Sequence, residues 1–489
     1  MAEQTTPSAV ARRNYLLGTL EGIIGNVSWD FLHPELILAG LVITMTGSWW
    51  LVALLAIINK GGSLLPQLYV GSTLEHKERK RPFFVALLVV RVAAVTVMFL
   101  AIPAMAGGVW LAFGAFFAAY LVWCVCCGAA DVIFLDMVGR LIPLRRVGTF
   151  FGTRELAGGV LALVAGWLII QPILDSNQNI LAHVDRPAAV VASEGAAPTA
   201  ASESQPLGRI ADPADRAAIG RNYLVLMVIG GVLSGLAMGL LALCREVAGP
   251  HAAHRATLVE SLKRGYRWVC EDSNYRAYLW LRIAFRVTYL ALAFFVPFGV
   301  ERLKYTADPR GIAVVAGVML ASIKASRAVS SLIWARVVDR AGDRTCLVAT
   351  GIFFTLGPLL MLAAPFLPGA FSLPVPLTKV VLDLPLCVYL LALMAEGTAI
   401  QGSIIGGNRF MIGKAPPEHR ISYVGFLNTV TSPLTLLPAL AALVAQTLGL
   451  TALFVGIAAG GVLFWYWALR LSPDRPTDPE PGPPVAAAG

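Results

Sequence analysis

The sequence predicts an all-α integral membrane protein whose twelve transmembrane helices form two pseudo-symmetric six-helix halves. Three observations carry that expectation. Apolar residues make up 57% of the chain and charged residues only 14%, where a soluble domain would hold about a quarter charged. Apolar stretches of about 20 residues, the length that crosses hydrocarbon, recur from end to end. A short charged turn also occurs twice, once in each half.

The first turn reads Gly71-Ser72-Thr73-Leu74-Glu75-His76-Lys77-Glu78-Arg79-Lys80-Arg81, and the second Ala335-Arg336-Val337-Val338-Asp339-Arg340-Ala341-Gly342-Asp343-Arg344. In each, a small residue stands four places before an acid. Small residues let helices approach closely and charges stay out of hydrocarbon, so both turns belong at one membrane face. The pattern resembles the loop signature of the major facilitator superfamily, G-x-x-x-D-R-x-G-R-R/K, which joins the second and third helices and, more weakly, the eighth and ninth. The first copy departs from it at Glu75 and Glu78, the second at Ala335 and Asp343.

Taken in order, apolar length and turn residues place spans at about 14–44, 49–74, 82–105, 109–136, 148–173 and 221–244, then 275–300, 311–338, 345–366, 384–411, 421–448 and 451–471. The first is too long for one straight crossing and should bend at Pro34. A stretch rich in Ala, Pro, Ser and Asp, about 176–218, reads as a disordered external loop. The sixth span carries Gly231, Gly235 and Gly239 at the spacing of a close-packing face. Residues 245–274 link the halves. Within them Leu258, Leu262, Tyr266 and Val269 share one face of an amphipathic helix, which should lie on the cytoplasmic membrane surface. The expected domains are therefore a cytoplasmic tail (1–13), an N-terminal bundle (14–244), the linker, a C-terminal bundle (275–471) and a Pro-rich disordered tail (472–489).

The halves echo each other beyond the turns. Met137–Arg146 parallels Met411–Arg420, and Asn14-Tyr15 opens one half as Asn274-Tyr275 opens the other. Such register argues for two bundles related by an axis along the membrane normal. With an interior N-terminus, about 24 of the 38 Lys and Arg fall in cytoplasmic segments and about 8 outside, so both termini should face the cytoplasm. The positive-inside bias accounts for the net charge of +9 without nucleic acid. The first apolar stretch is too long for a cleavable signal, and the expected location is the plasma membrane of a bacterium. Cys124, Cys126 and Cys127 cluster in an apolar helix without metal-ligand spacing and read as packing residues.

An ionisable side chain at the bilayer centre costs roughly 2.5–3.5 kcal/mol even on the mildest scale, so each one needs a partner or a purpose. The basic set is Lys60, Arg91, Arg282, Arg286, Lys324 and Arg327; the acidic set is Glu21, Asp30, Asp131 and Glu396. Lys60 and Lys324 each sit fifteen residues before the acid of their turn, about 22 Å along a helix. Each heads a polar stripe, Lys60-Ser63-Gln67-Gly71 and Lys324-Arg327-Ser331-Ala335, on a single helix face. Two readings stand: a cationic cavity lining that binds substrate through Lys60, Gln67, Arg282, Arg286, Lys324 and Arg327, or, for Lys60 and Lys324, structural ion pairs with Asp30 or Glu396 or snorkelling to the outer surface. Glu21 could pair with Arg282 and Arg286, and Arg91 with Asp131. Glu21, Asp30 and Glu396 are the candidates for proton coupling.

The family resemblance implies a gate at Gly71, Glu75, Arg79, Asp136, Asp339, Arg340, Asp343 and Arg409, in which Arg79 engages Asp136 at the end of the fourth helix. The position matching Asp136 in the second half is Phe410. Its neighbour Arg409 suggests a charge-reversed pair with Asp343. No nucleotide-cradling, dinucleotide, zinc-protease or triad motif occurs, and His33 and His419 have no evident partner. The family's antiporter, midmembrane-Arg and sugar-porter signatures are missing as well. The expectation is thus a secondary transporter with no catalytic residue, metal or cofactor. It would be monomeric, move a small organic solute (leaning anionic or zwitterionic) and work by alternating access with possible proton coupling. The alternatives are a non-transporting assembly factor or receptor and, more remotely, a lipid-acting membrane enzyme.

Overall fold

The computed structural model describes residues 8–184, 212–246, 251–303, 309–369, 371–374 and 381–473. Ten helices among them are long and apolar enough to cross a membrane. Two of the ten, Gly317–Phe366 and Arg420–Leu469, run 50 residues, roughly 75 Å of helix and more than two bilayer cores. Each doubles back at one glycine, Gly342 (φ 86°) or Gly449 (φ 87°), a left-handed conformation that other residues rarely tolerate. Ten apolar helices thus make twelve crossings.

The first six are α1 (Ser8–Phe31, continued by Pro34–Leu38 and Ala39–Thr46), α2 (Trp49–Leu64 and Gln67–Leu74), α3 (Arg81–Ala106), α4 (Trp110–Leu141), α5 (Val147–Ala165, Gly166–Ile170 and Gln171–Val184) and α6 (Pro213–Ala242). After them comes a shorter helix, α7 (Leu258–Glu271), opened by a capping box between Thr257 and Glu260. The last six crossings are α8 (Ser273–Thr288 and Ala291–Arg302), α9 (309–341), α10 (343–363), α11 (Leu384–Lys414), α12 (420–448) and α13 (450–469). A two-stranded antiparallel hairpin, β1 (Ser372–Pro374) with β2 (Val381–Asp383), precedes α11.

Local chemistry sets the breaks. Proline has no N–H and restricts the residue before it, so α1 is interrupted at His33-Pro34 and α2 at Leu65-Pro66. Carboxylates cap helix starts: Asp212 accepts from the Ala214 N–H, Asp272 from Asn274, and Asp383 from Leu386. The expected loop at 176–218 is shorter than composition suggests. α5 continues to Val184 and α6 begins at Pro213, and the residues between, 185–211, lie outside the described residues. The tail beyond 473 and residues 1–7 lie outside them too. The glycine row of α6 is only partly a packing face. A methyl at Gly231 would strike Phe99 and Val95, but one at Gly239 would meet nothing within 4 Å.

The placement of the core says most about shape. One apolar cluster takes residues from both halves, among them Leu68, Phe84 and Ile133 with Tyr278, Phe410 and Val424. It lies at the end of the bundle where the two turns are. The other two clusters keep to one half each: Phe31, Met98, Phe116 and Met227 in the first, and Phe298, Met319, Tyr389 and Phe454 in the second. The halves are therefore packed together at the turn end and parted at the far end. Their contact runs along α2 with α12 and α5 with α9.

Candidate functional site

At the first turn, Gly71 lets α2 lie against α12. A Cβ there would stand 2.9 Å from the Ser422 Cα. The next acid, Glu75, is 1% exposed. Arg264 of α7 donates to its Oε2 at 2.8 Å and to His419 Nδ1 at 2.7 Å, and His419 lies 3.3 Å from the same Oε2. Burial alone would raise the Glu75 pKa, but the contact with His419 and the Arg264 charge hold it below its ordinary value. Beside this clasp, Asp136 at the end of α4 gathers three cations: Lys80 at 2.8 Å, Arg140 at 2.9 Å and, from the other half, Arg420 at 3.5 Å. Burial pulls the Lys80 pKa down, and Asp136 offsets part of that pull.

Here the structure corrects the expected pairing by one residue. Arg79 is exposed and Lys80 is 1% exposed, so Lys80 reaches Asp136. The α3 start explains the choice. Lys80 and Arg81 give their backbone N–H groups to Glu246 at 2.6 and 2.8 Å, which fixes the helix entry and turns the Lys80 side chain inward.

The second turn uses different chemistry at the same place. Asp339 accepts from the backbone N–H groups of Gly148 and Thr149, both at 2.8 Å, and from the Thr149 hydroxyl at 2.5 Å. It thereby caps the N-terminus of α5 in the other half, where a carboxylate meets unsatisfied N–H groups and a positive dipole end. Next to it Arg409 lies 3.8 Å from Asp343, both buried. Arg340 is exposed. These groups border a cavity of about 830 Å³ at the turn end, with Arg145 and Lys414 on its rim.

Two smaller cavities lie between the halves along α2, α8 and α12. One, about 160 Å³, is bordered by Glu35, Lys60, Arg286, Tyr289 and Thr435. The other, about 340 Å³ and one helical turn nearer the turn end, holds Gln67, Asp131, Arg282, Asn408 and Asn428. Asn428 links its walls, donating to Gln67 Oε1 at 2.7 Å and accepting from Arg282 at 3.3 Å. Among the described residues Lys60, Arg282 and Arg286 have no ion-pair partner. Lys324 does: it holds Asp30 of α1 at 2.8 Å across the gap between halves. Arg327 is half-buried, and its Nε makes no hydrogen bond among the described residues.

The chain matches no protein-family model and no curated protein sequence. Solved structures do match it. FucP, the fucose:proton symporter of E. coli, in its outward conformation superposes with a TM-score of 0.66 at 12% identity, covering 94% of this chain and 99% of that one. A bacterial homologue of the iron transporter ferroportin in its outward-facing state gives 0.61 at 14% identity over 94% and 99%. The human organic anion transporter MFSD10 gives 0.61 at 14% over 95% and 100%. The chain has the major facilitator fold. Within that fold α1–α6 and α8–α13 are the two six-helix halves.

Other pairings differ from those the sequence suggested. Glu21 meets neither Arg282 nor Arg286; it pairs at 2.7 Å with Arg154 of α5, which also lies over the rings of Phe134 and Phe150. Sequence reasoning missed Arg154 although a basic residue seven places into a span was the available signal. Arg91 does not pair with Asp131 either. It contacts the Met238 sulfur at 2.9 Å and lies over Trp123, while Asp131 opens into the larger cavity. Glu396 is 1% exposed, and among the described residues neither carboxylate oxygen has a hydrogen-bond partner and no cation pairs with it. His419, without an evident partner in the sequence, has two.

Proposed function

We propose that the protein is a secondary transporter that carries a small organic anion or zwitterion by rocker-switch alternation between its two halves. The observation that carries this reading is the cavity lined by Lys60 and Glu35 from the first half and Arg286 from the second. It sits at the seam of two halves whose shared apolar core lies at the turn end. Two unpaired cations in a confined space of low dielectric need an anion, and Glu35 suits an ammonium on the same molecule. Arg282, one turn below Arg286, provides a second cationic station on the way to the turn end. In this reading the Glu75, Asp136, Asp339 and Asp343 clusters hold the turn end shut and break as the halves rock. The turn end is cytoplasmic, following the distribution of Lys and Arg. Within the acidic set Glu21, Asp30, Asp131 and Glu396, proton coupling falls to Glu396 and Asp131, which have no ion pair among the described residues, rather than to Glu21 and Asp30, which are paired with Arg154 and Lys324.

The test is a thermal-shift screen of carboxylates, sulfonates, phosphates and amino acids on the purified chain, run in parallel on Lys60→Ala and Arg286→Ala. A compound that raises the parent Tm but neither variant's, and that accumulates in vesicles holding the parent, supports the reading. Equal stabilisation of parent and variants by every active compound rejects this cavity as the site.

A further inference from the structure

The linker helix α7 turns the wrong side to the protein for a simple packing element. It seats through small and polar residues: Ser261 is fully buried, and Gly265 lies so close under the Phe426 ring that a Cβ there has no room. Trp268 packs its ring against Tyr275, Tyr423 and His419. Its apolar row faces away, with Leu258 44%, Val259 59%, Leu262 40% and Tyr266 69% exposed. Exposed bases outnumber exposed acids beside that row and just before it: Arg255, Lys263 and Arg267 against Glu260, which also serves in the helix's own cap, and Glu271.

The level of α7 follows from its neighbours. Glu271 stands two residues before the start of α8 at Ser273, Glu75 follows the last residue of α2, and His419 precedes the first of α12. A helix that touches all three span ends lies along the membrane boundary, where an outward apolar row with flanking bases meets headgroups and the upper acyl chains. The same helix supplies Arg264 to Glu75 and His419, and the strand of chain before it gives the Ala252 N–H to the Glu75 carbonyl at 3.0 Å.

We infer that α7 docks on the anionic lipid surface of its own membrane and, while docked, holds the first-turn clasp closed. The second half of this inference deepens the proposed alternation and rests on it; the first half does not.

The native Cys270 gives a direct probe, being the one exposed cysteine of the chain, on the same helix and next to Tyr266. The full chain, labelled there with a polarity-sensitive maleimide dye, is reconstituted in phosphatidylcholine vesicles and in equal mixtures of phosphatidylcholine and phosphatidylglycerol. Docking predicts emission shifted to the blue, with quenching by brominated acyl chains exceeding quenching by aqueous iodide, most strongly in the anionic mixture. Lys263→Glu with Arg267→Glu, both at exposed positions, should lower the docked-to-free ratio by roughly fivefold per base removed. A dye equally open to iodide in both lipids overturns the inference and leaves a protein partner as the cover for the ridge.

The clasp is read separately, from spin labels at Lys77→Cys and Glu418→Cys in a Cys270→Ser background. Anionic lipid should enrich the short distance, and the double charge reversal should abolish that enrichment. Docking without any lipid effect on the distance overturns the regulatory half alone. Neither readout needs a substrate, so a failed transport assay would leave both intact.

Discussion

The two turns occupy matching places and close the same end of the molecule by unlike means. Around the first, two buried acids are met by side-chain cations from several elements: Arg264 for Glu75, and Lys80, Arg140 and Arg420 for Asp136. Around the second, Asp339 is met by the backbone N–H groups of α5, and Asp343 by Arg409 at 3.8 Å. Pseudo-symmetry here preserves position and the small residue that allows close approach, and lets the charges change. The consequence is energetic. A cluster of desolvated charges depends on every member, because removing one leaves the others buried and unmatched. A helix N-terminus keeps water and neighbouring carbonyls as partial substitutes.

The largest expected effect is therefore at Asp136. Asp136→Ala removes the carboxylate shared by Lys80, Arg140 and Arg420 and should cost about 3–5 kcal/mol, read as the shift of the unfolding midpoint in detergent. Asp343→Ala removes a carboxylate that stands 3.8 Å from Arg409 and should cost clearly less; equal losses would break the contrast between the turns.

Next comes the small residue. Gly71→Ala drives a methyl to 2.9 Å from the Ser422 backbone, an overpacking that should cost about 1–3 kcal/mol and loosen disulfide cross-linking between α2 and α12. Ala335→Gly introduces no clash; it removes a methyl that lies against Gly152 and should cost about 1 kcal/mol through the lower helix propensity of glycine.

A charge swap sharpens the comparison at smaller scale. Arg409→Glu should lower stability and transport, and adding Asp343→Arg should restore part of both, with a coupling of roughly 0.5–3 kcal/mol in the double-mutant cycle. Additive losses would mean the pair does not interact.

The smallest effect is a pH slope. Glu75 has its pKa depressed in the folded protein, so its contribution is full above the ordinary carboxylate value and disappears as pH falls through the depressed one. The parent should lose Tm on acidification more steeply than Glu75→Gln over that acid window, with the two curves parallel near neutrality. Parallel curves throughout would show that Glu75 is not held ionised by its clasp.

Much of this was written in the chain itself. Hydrophobic length determined the spans, the repeated turn determined the two halves, and Gly71 and Ala335 marked where helices from opposite halves touch. Such features are one-dimensional, because apolar runs, small residues and charge exclusion act on each segment wherever it ends up; that Gly71 and Ala335 meet α12 and α5 of the opposite half was decided by the packing. The partner of each charge was not of that kind. Glu21 could equally have met Arg282 or Arg154, and Asp136 could have met Arg79 or Lys80, since long side chains span several ångströms and neighbours in sequence differ only in direction. Which one arrives depends on helix rotation and on caps such as Glu246 on α3. Only the packed bundle fixes those, because a buried charge takes whichever opposite group the surrounding backbone already holds within reach.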